Sequence, residues 1–267
     1  MPPFFFDRTH LQGLAARERA AYHSARPFPH AVLDDLVPAA VLDTVLAELP
    51  ARDDPAWSRI RSGADRKLLY RDESGMGPRT RQLCDQLRSS TFVGFLEDLT
   101  GIAGLVPGPH FDGGGGLCVV EPGCRLPIHA DYNWNARLRL DRRLNVLLYL
   151  NRDWREEYGG LLELWDRDVT RCGRRIVPLF NRCVVFPTSD HTPHGHPEPV
   201  RTPDGRPRVS LILYYYTNGR PEDEASPPHP TLFHDRPGEP LAWRARRVLR
   251  KCVPPIAHDI ARALRRR

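Results

Sequence analysis

From position 111 to 217 the chain is broken into short β-rich runs, at 117–120, 144–150, 161–165, 183–186 and 209–217, with turn residues between them. The stretches between them carry turn residues and not the helical spacing of the crossovers in parallel βαβ units. They predict an antiparallel sandwich or barrel. The first hundred residues read differently. Residues 7–25 predict a charged amphipathic helix, 31–33 a short strand, and Pro38 opens a helix to Leu49 with apolar side chains at 41, 42, 45, 46 and 49. Residues 51–79, rich in Arg, Asp and Gly, read as a long polar loop. Helical spacing of Leu83, Leu87, Phe92, Phe95, Leu96 and Leu99 predicts one helix over 80–100, stopped at Gly101. Past Asn218 a connector containing Pro227-Pro228-His229-Pro230 leads to a basic helical tail. The expected class is mainly β (α+β), with a support region at 1–109, a β core at 110–218 and a connector with tail at 219–267, together one structural domain.

Composition narrows the partners. At 40% hydrophobic and 27% charged residues the chain is neither disordered nor fibrous. No apolar run approaches the roughly 18 residues of a membrane-spanning helix. The opening Met-Pro-Pro-Phe-Phe-Phe-Asp lacks the basic and apolar regions of a signal peptide. Six cysteines without a Cys-x-x-Cys pair suit reduced thiols, so the expected location is cytoplasmic. The net charge of +6 is local: residues 241–267 hold nine basic residues and one acid, leaving 30 basic against 32 acidic in the rest, a balance of −2. Nucleic acid is therefore not the expected partner. A stripe of Ile256, Ile260 and Leu264 predicts a packing element with its arginines in water.

Two His-x-Asp triplets stand in the core segment, His110-Phe-Asp112 and His129-Ala-Asp131. In an extended chain residues two apart share a face, so either could offer an imidazole and a carboxylate to one metal. The first runs into the glycines at 113–116, a poor platform; the second adjoins β-rich sequence. A non-haem iron centre with open positions takes two histidines and one carboxylate. The second histidine is offered by His191, His194 or His196, just past the 183–186 run. Arg208 opens the last run, and a buried guanidinium needs an anionic partner, either a protein acid or the carboxylate of a small molecule. Tyr149, closing the run at 144–150, could add a phenolic hydrogen bond.

These blocks, in order, resemble the Fe(II)/2-oxoglutarate-dependent oxygenases, prolyl-4-hydroxylase-like branch. They are His129-Ala-Asp131, the stretch from Arg143 through Tyr149 to Trp154, Gly159-Gly160-Leu-Leu-Glu-Leu-Trp165, the stretch from Asn181 to Asp190, Pro193-His194-Gly195 and Arg208-Val-Ser-Leu. The resemblance implies a double-stranded β-helix (jelly roll) core with N-terminal helices packed on it and a helical C-terminal extension. It implies Fe(II) on His129, Asp131 and His194, the last preferred because it occupies the Pro-His position of relatives. Arg208, with Tyr149 and Ser210, is implied to bind 2-oxoglutarate; O2 is the oxidant and ascorbate an optional accessory. The implied reaction is hydroxylation of an unactivated C–H bond of a small-molecule or peptidyl substrate, with 2-oxoglutarate decarboxylated to succinate and CO2. Asp131 stands where related halogenases carry a small residue, which favours oxygenation. Cyclisation, desaturation or epoxidation are alternative outcomes of the same oxidant, and a non-catalytic metal- or anion-binding jelly roll is the alternative of another class. Cys118 and Leu161 stand where many relatives have histidine, so the relatives' substrate does not carry over.

Overall fold

The computed structural model describes residues 4–62, 65–70, 72–109 and 115–240. The chain forms two compact units, Met1–His234 and Asp235–Arg267. Of the second only residues 235–240 are described, where Arg236 pairs with Glu239. The His110-Phe-Asp112 triplet and the basic tail from residue 241 lie outside the described residues.

In the first unit the elements run α1 (Arg8–Ser24), β1 (Ala31–Asp34), α2 (Ala39–Ala47), β2 (Trp57–Ser62), β3 (Asp65–Tyr70), α3 (Pro78–Leu87), α4 (Ser90–Thr100), β4 (Val106–Pro107), β5 (Gly116–Val120), β6 (Leu126–Ala130), β7 (Trp134–Asn135), β8 (Leu140–Tyr149), β9 (Leu162–Trp165), β10 (Cys172–Ile176), β11 (Arg182–Pro187), β12 (His194–His196), β13 (Arg208–Thr217) and β14 (Leu232–Phe233). A nine-stranded sheet has the order β1-β11-β8-β13-β5-β3-β2, with β4 beside β13 and β7 beside β8. A five-stranded sheet has the order β10-β9-β12-β6-β14. The pairings are antiparallel, as the spacing of the runs predicts.

Period-two alternation sorts the large sheet into two faces. Leu144, Val146 and Leu148 of β8, with Val209, Leu211 and Tyr215 of β13, pack under the helices against Leu42, Leu83, Phe92 and Phe95. The opposite face carries Tyr149, Val184 and Phe186, which meet Leu162, Leu164 and Ile176 of the small sheet. The two sheets thus close over each other as a jelly roll, and the polar residues Arg208 and Ser210 share that inner face. No helix among the described residues is long and apolar enough to cross a membrane.

Three local expectations are corrected. The segment 51–79 is not a continuous loop: β2 and β3 form a hairpin that extends the large sheet through pairs such as Leu69 with Cys118. Its sequence is too charged to announce a strand, and pairing with the edge of β5 supplies what local pattern lacks. The single helix over 80–100 is two, because Ser89 accepts a hydrogen bond from the Phe92 amide and caps a fresh start. The connector after Asn218 contains β14, which pairs with β6 through Leu232 and Phe233.

Candidate active site

His129 lies in β6, Asp131 just beyond it, and His194 opens β12, directly across from His129 in the antiparallel register. This pairing sets the two imidazoles side by side, ring centroids 4.5 Å apart. Between His194 and His196 the two backbones are so close that a Cβ on Gly195 would fall 2.7 Å from the Pro127 carbonyl oxygen and 2.8 Å from that of Leu126. Only glycine leaves the pairing intact.

One ligand atom from each of His129, Asp131 and His194 lies within 4.8 Å of the others, and all three residues are buried. The Asp131 carboxylate is 3.5 Å from Nε2 of His129 and 3.4 Å from Nε2 of His194. Each imidazole is tied at its far side: Nδ1 of His129 donates to the Pro127 carbonyl at 2.8 Å, and Nδ1 of His194 to the Thr192 carbonyl at 2.9 Å. A carbonyl can only accept, so the proton sits on Nδ1 and the Nε2 lone pair is left for a cation. Burial and the neighbouring His129 push His194 down to about 4, which keeps it neutral. Burial would raise Asp131, but the Arg142 charge and the histidines outweigh it and hold the carboxylate well below its usual range. Two imidazoles presenting Nε2 and one carboxylate suit Fe(II) with positions left open.

Arg142 and Asn145 complete this arrangement, and neither is singled out by sequence pattern. Both donate to Asp131 Oδ2 at 2.8 Å, leaving Oδ1 free of them. The Arg142 guanidinium lies between the rings of Tyr214, 3.5 Å from its carbon, and Tyr132, at 4.5 Å. Strict alternation from Asn145 would turn Arg143 inward. A register shift against Tyr215 and Tyr216 brings Arg142 there instead, while Arg143 pairs with Glu224.

A second polar group lies on the same inner face. Arg208 Nε donates to the Gly160 carbonyl at 2.8 Å and Nη2 to the Tyr149 hydroxyl at 3.2 Å. A Cβ on Gly160, whose φ is +65°, would meet Arg208 Cδ at 3.0 Å. No carboxylate pairs with Arg208 among the described residues. Burial raises the Tyr149 hydroxyl against the lowering pull of Arg208, so it stays protonated. Ser210 Oγ is buried with only the weakly polar Cys118 thiol across the strand pair acting on it. A guanidinium without an acid, a phenol and a weakly partnered hydroxyl in one buried recess fit the carboxylate of 2-oxoglutarate. His191 is exposed on its turn, whereas His196 is buried beside Arg208 and held well below its usual value by burial and by the charges of Arg208 and Lys67. Cys118 also faces this recess, its thiol raised by burial.

Residues 115–216 match the family model described as the 2OG-Fe(II) oxygenase superfamily. No curated protein matches the sequence. In fold the chain is similar to a prolyl hydroxylase from Trichoplax adhaerens in complex with a hypoxia inducible factor peptide fragment (18% identity, 78% of this chain and 90% of that one, TM-score 0.54). It is similar to a Pseudomonas putida prolyl-4-hydroxylase (20% identity, 78% and 100%, TM-score 0.54). HygX from Streptomyces hygroscopicus with nickel, 2-oxoglutarate and hygromycin B bound is a further likeness (12% identity, 82% and 97%, TM-score 0.52). The matched segment carries the histidine and carboxylate trio and Arg208: residues 115–216 are a 2OG-Fe(II) oxygenase segment in a chain prolyl-hydroxylase-like in fold, which supports a 2-oxoglutarate-dependent dioxygenase using Fe(II).

Proposed function

We propose that His129, Asp131 and His194 hold one Fe(II), that Arg208, Tyr149 and Ser210 bind the distal carboxylate of 2-oxoglutarate, and that the chain hydroxylates an unactivated C–H bond of a polar substrate. The observation that carries the reading is the buried trio, with both Nδ1 atoms committed to backbone carbonyls and both Nε2 atoms turned to one carboxylate. Bound iron and co-substrate supply the oxidant, and 2-oxoglutarate leaves as succinate and CO2. The protein's own part is positional. Arg142 and Asn145 occupy one oxygen of Asp131 and present the other. Arg208 and Tyr149 anchor the co-substrate at the far end of the recess. Leu162, Leu164 and Phe186 form an apolar wall with Tyr149 on the same inner face.

The substrate class is a peptidyl residue, an amino acid or a sugar-containing metabolite. The peptide on the Trichoplax enzyme and the hygromycin B on HygX support this breadth, since the same fold accommodates both. The catalytic core is taken as residues 110–218, flanked by the support region and the connector. A cytoplasmic location is supported by the five free thiols among the described residues.

Anaerobic Fe(II) titration tests the metal reading: His194→Ala loses iron while His196→Ala retains it, and the reverse result sinks the assignment. Removing Arg208 leaves the carboxylate without its charged partner, a loss of about 2–5 kcal/mol in 2-oxoglutarate binding. Succinate formation measured against 2-oxoglutarate concentration reads it, and an unchanged apparent affinity refutes the role.

A further inference from the structure

We infer that His196 is a specificity-determining residue for the co-substrate, donating a hydrogen bond to the same distal carboxylate that Arg208 binds and so selecting a 2-oxo dicarboxylic acid over a 2-oxo monocarboxylic acid. The inference rests on the 2-oxoglutarate site proposed above.

Three histidines crowd the end of β12 and its partner β6, and two of them are tied at Nδ1. His129 and His194 each donate Nδ1–H to a backbone carbonyl. His196 is as deeply buried, at 5% exposure, yet its Nδ1 has no partner. Buried polar atoms in folded proteins are nearly always paired, and an exception calls for an explanation such as a bound molecule or ion. The strand geometry says where that place is. The pairing of β12 with β6 is irregular between His194 and His196, but against β9 it runs His194–Leu164 and Gly195–Glu163, so His196 comes next toward Leu162 of the inner face and toward the Gly160 carbonyl that Arg208 holds. Of the charged groups acting on it, Arg208 is the strongest and Lys67 the next. Lys67 stands level with Arg208, both paired with Val120 from opposite sides. Ser210 Oγ, with only the Cys118 thiol acting on it, lies one inward position along β13 from Arg208. Two buried groups without strong partners, facing one guanidinium that has no acid, call for a ligand with several acceptor lone pairs and negative charge. A carboxylate supplies both.

The Mn(II)-loaded protein, titrated calorimetrically with 2-oxoglutarate and separately with 2-oxobutyrate, tests this without turnover. 2-Oxobutyrate keeps the 2-oxo acid end and lacks the distal carboxylate. His196→Leu is expected to weaken 2-oxoglutarate about tenfold or more, the effect of losing one hydrogen bond to a charged group, and to leave 2-oxobutyrate within about twofold of wild type. His196→Asn, which restores a donor, returns most of the preference. Equal losses for both ligands reveal a merely structural role and overturn the inference, as does no loss for either. Arg208→Ala separates the two levels of argument. If it too leaves the preference intact, the proposed co-substrate site is wrong; if it abolishes the preference while His196→Leu does not, only the role of His196 fails. Should the leucine variant not fold, the wild-type Zn(II)-loaded protein decides by its His196 15N resonances, which must shift when 2-oxoglutarate is added and not when 2-oxobutyrate is.

Discussion

Arg142 and Asp131 form a buried pair, Nη2 to Oδ2 at 2.8 Å, in which the cation holds the very carboxylate that stands between two histidines. The arginine is 1% exposed at its side chain, so its charge reaches Asp131 with little screening by water.

That relationship predicts a double effect of Arg142→Met. Removing one partner of a buried pair costs about 3–5 kcal/mol, because the remaining charge is left uncompensated. Loss of an outer hydrogen bond to a metal ligand lowers metal affinity by roughly 10- to 100-fold. Denaturant unfolding of the metal-free protein and Mn(II) titration measure the two separately. Arg142→Lys should recover part of the stability and less of the affinity, since an ammonium keeps the charge and loses the planar fork.

The pH dependence of the metal-free protein follows from His194. Its folded value, about 4, lies below the ordinary 6.5, so between those limits the unfolded chain binds more protons than the folded one. Stability therefore rises with pH across that window and falls as pH drops from neutrality toward 4, by up to about 1.4 kcal/mol per pH unit for one proton. His196, also lowered, adds in the same direction. Thermal melts at pH 5 and pH 7 are expected to show the lower midpoint at pH 5, and His194→Gln should reduce the difference. A slope unchanged in that variant contradicts the account.

The carboxylate anchor is graded. Tyr149→Phe removes a neutral hydroxyl while Arg208 remains, an expected loss of about 0.5–1.5 kcal/mol in 2-oxoglutarate binding. Arg208→Lys should fall between wild type and Arg208→Ala, because Nε and Nη2 both have fixed partners that one ammonium cannot reproduce. Equilibrium titrations of the three variants check the order.

Gly195→Ala tests the backbone of the metal site. Its new Cβ would sit 2.7 Å from a carbonyl oxygen of β6, a contact only backbone movement relieves. The expected result is a loss of roughly 1–3 kcal/mol in stability, as for other overpacked sites. Mn(II) binding should weaken as well, because the His194–His129 register is displaced.

The antiparallel sandwich was legible in the succession of short β-rich runs with turn residues between them and no helical period in the intervening stretches. His129, Asp131 and Arg208 were legible too, because a polar side chain beside or inside a core strand is costly unless it has work to do. Local pattern left three histidines near the end of one run equivalent. The family resemblance preferred His194, and strand pairing gives the physical reason, placing His194 across from His129 and His196 farther along β12. The β2–β3 hairpin could not be read locally, because its strands are held by pairing with β5 and not by their own apolar content. Arg142 is the clearest case. A one-residue shift in the register of β8 against β13 reverses which of two adjacent arginines faces inward, and such a shift is set by the fit of two strands far apart in sequence, not by either strand alone.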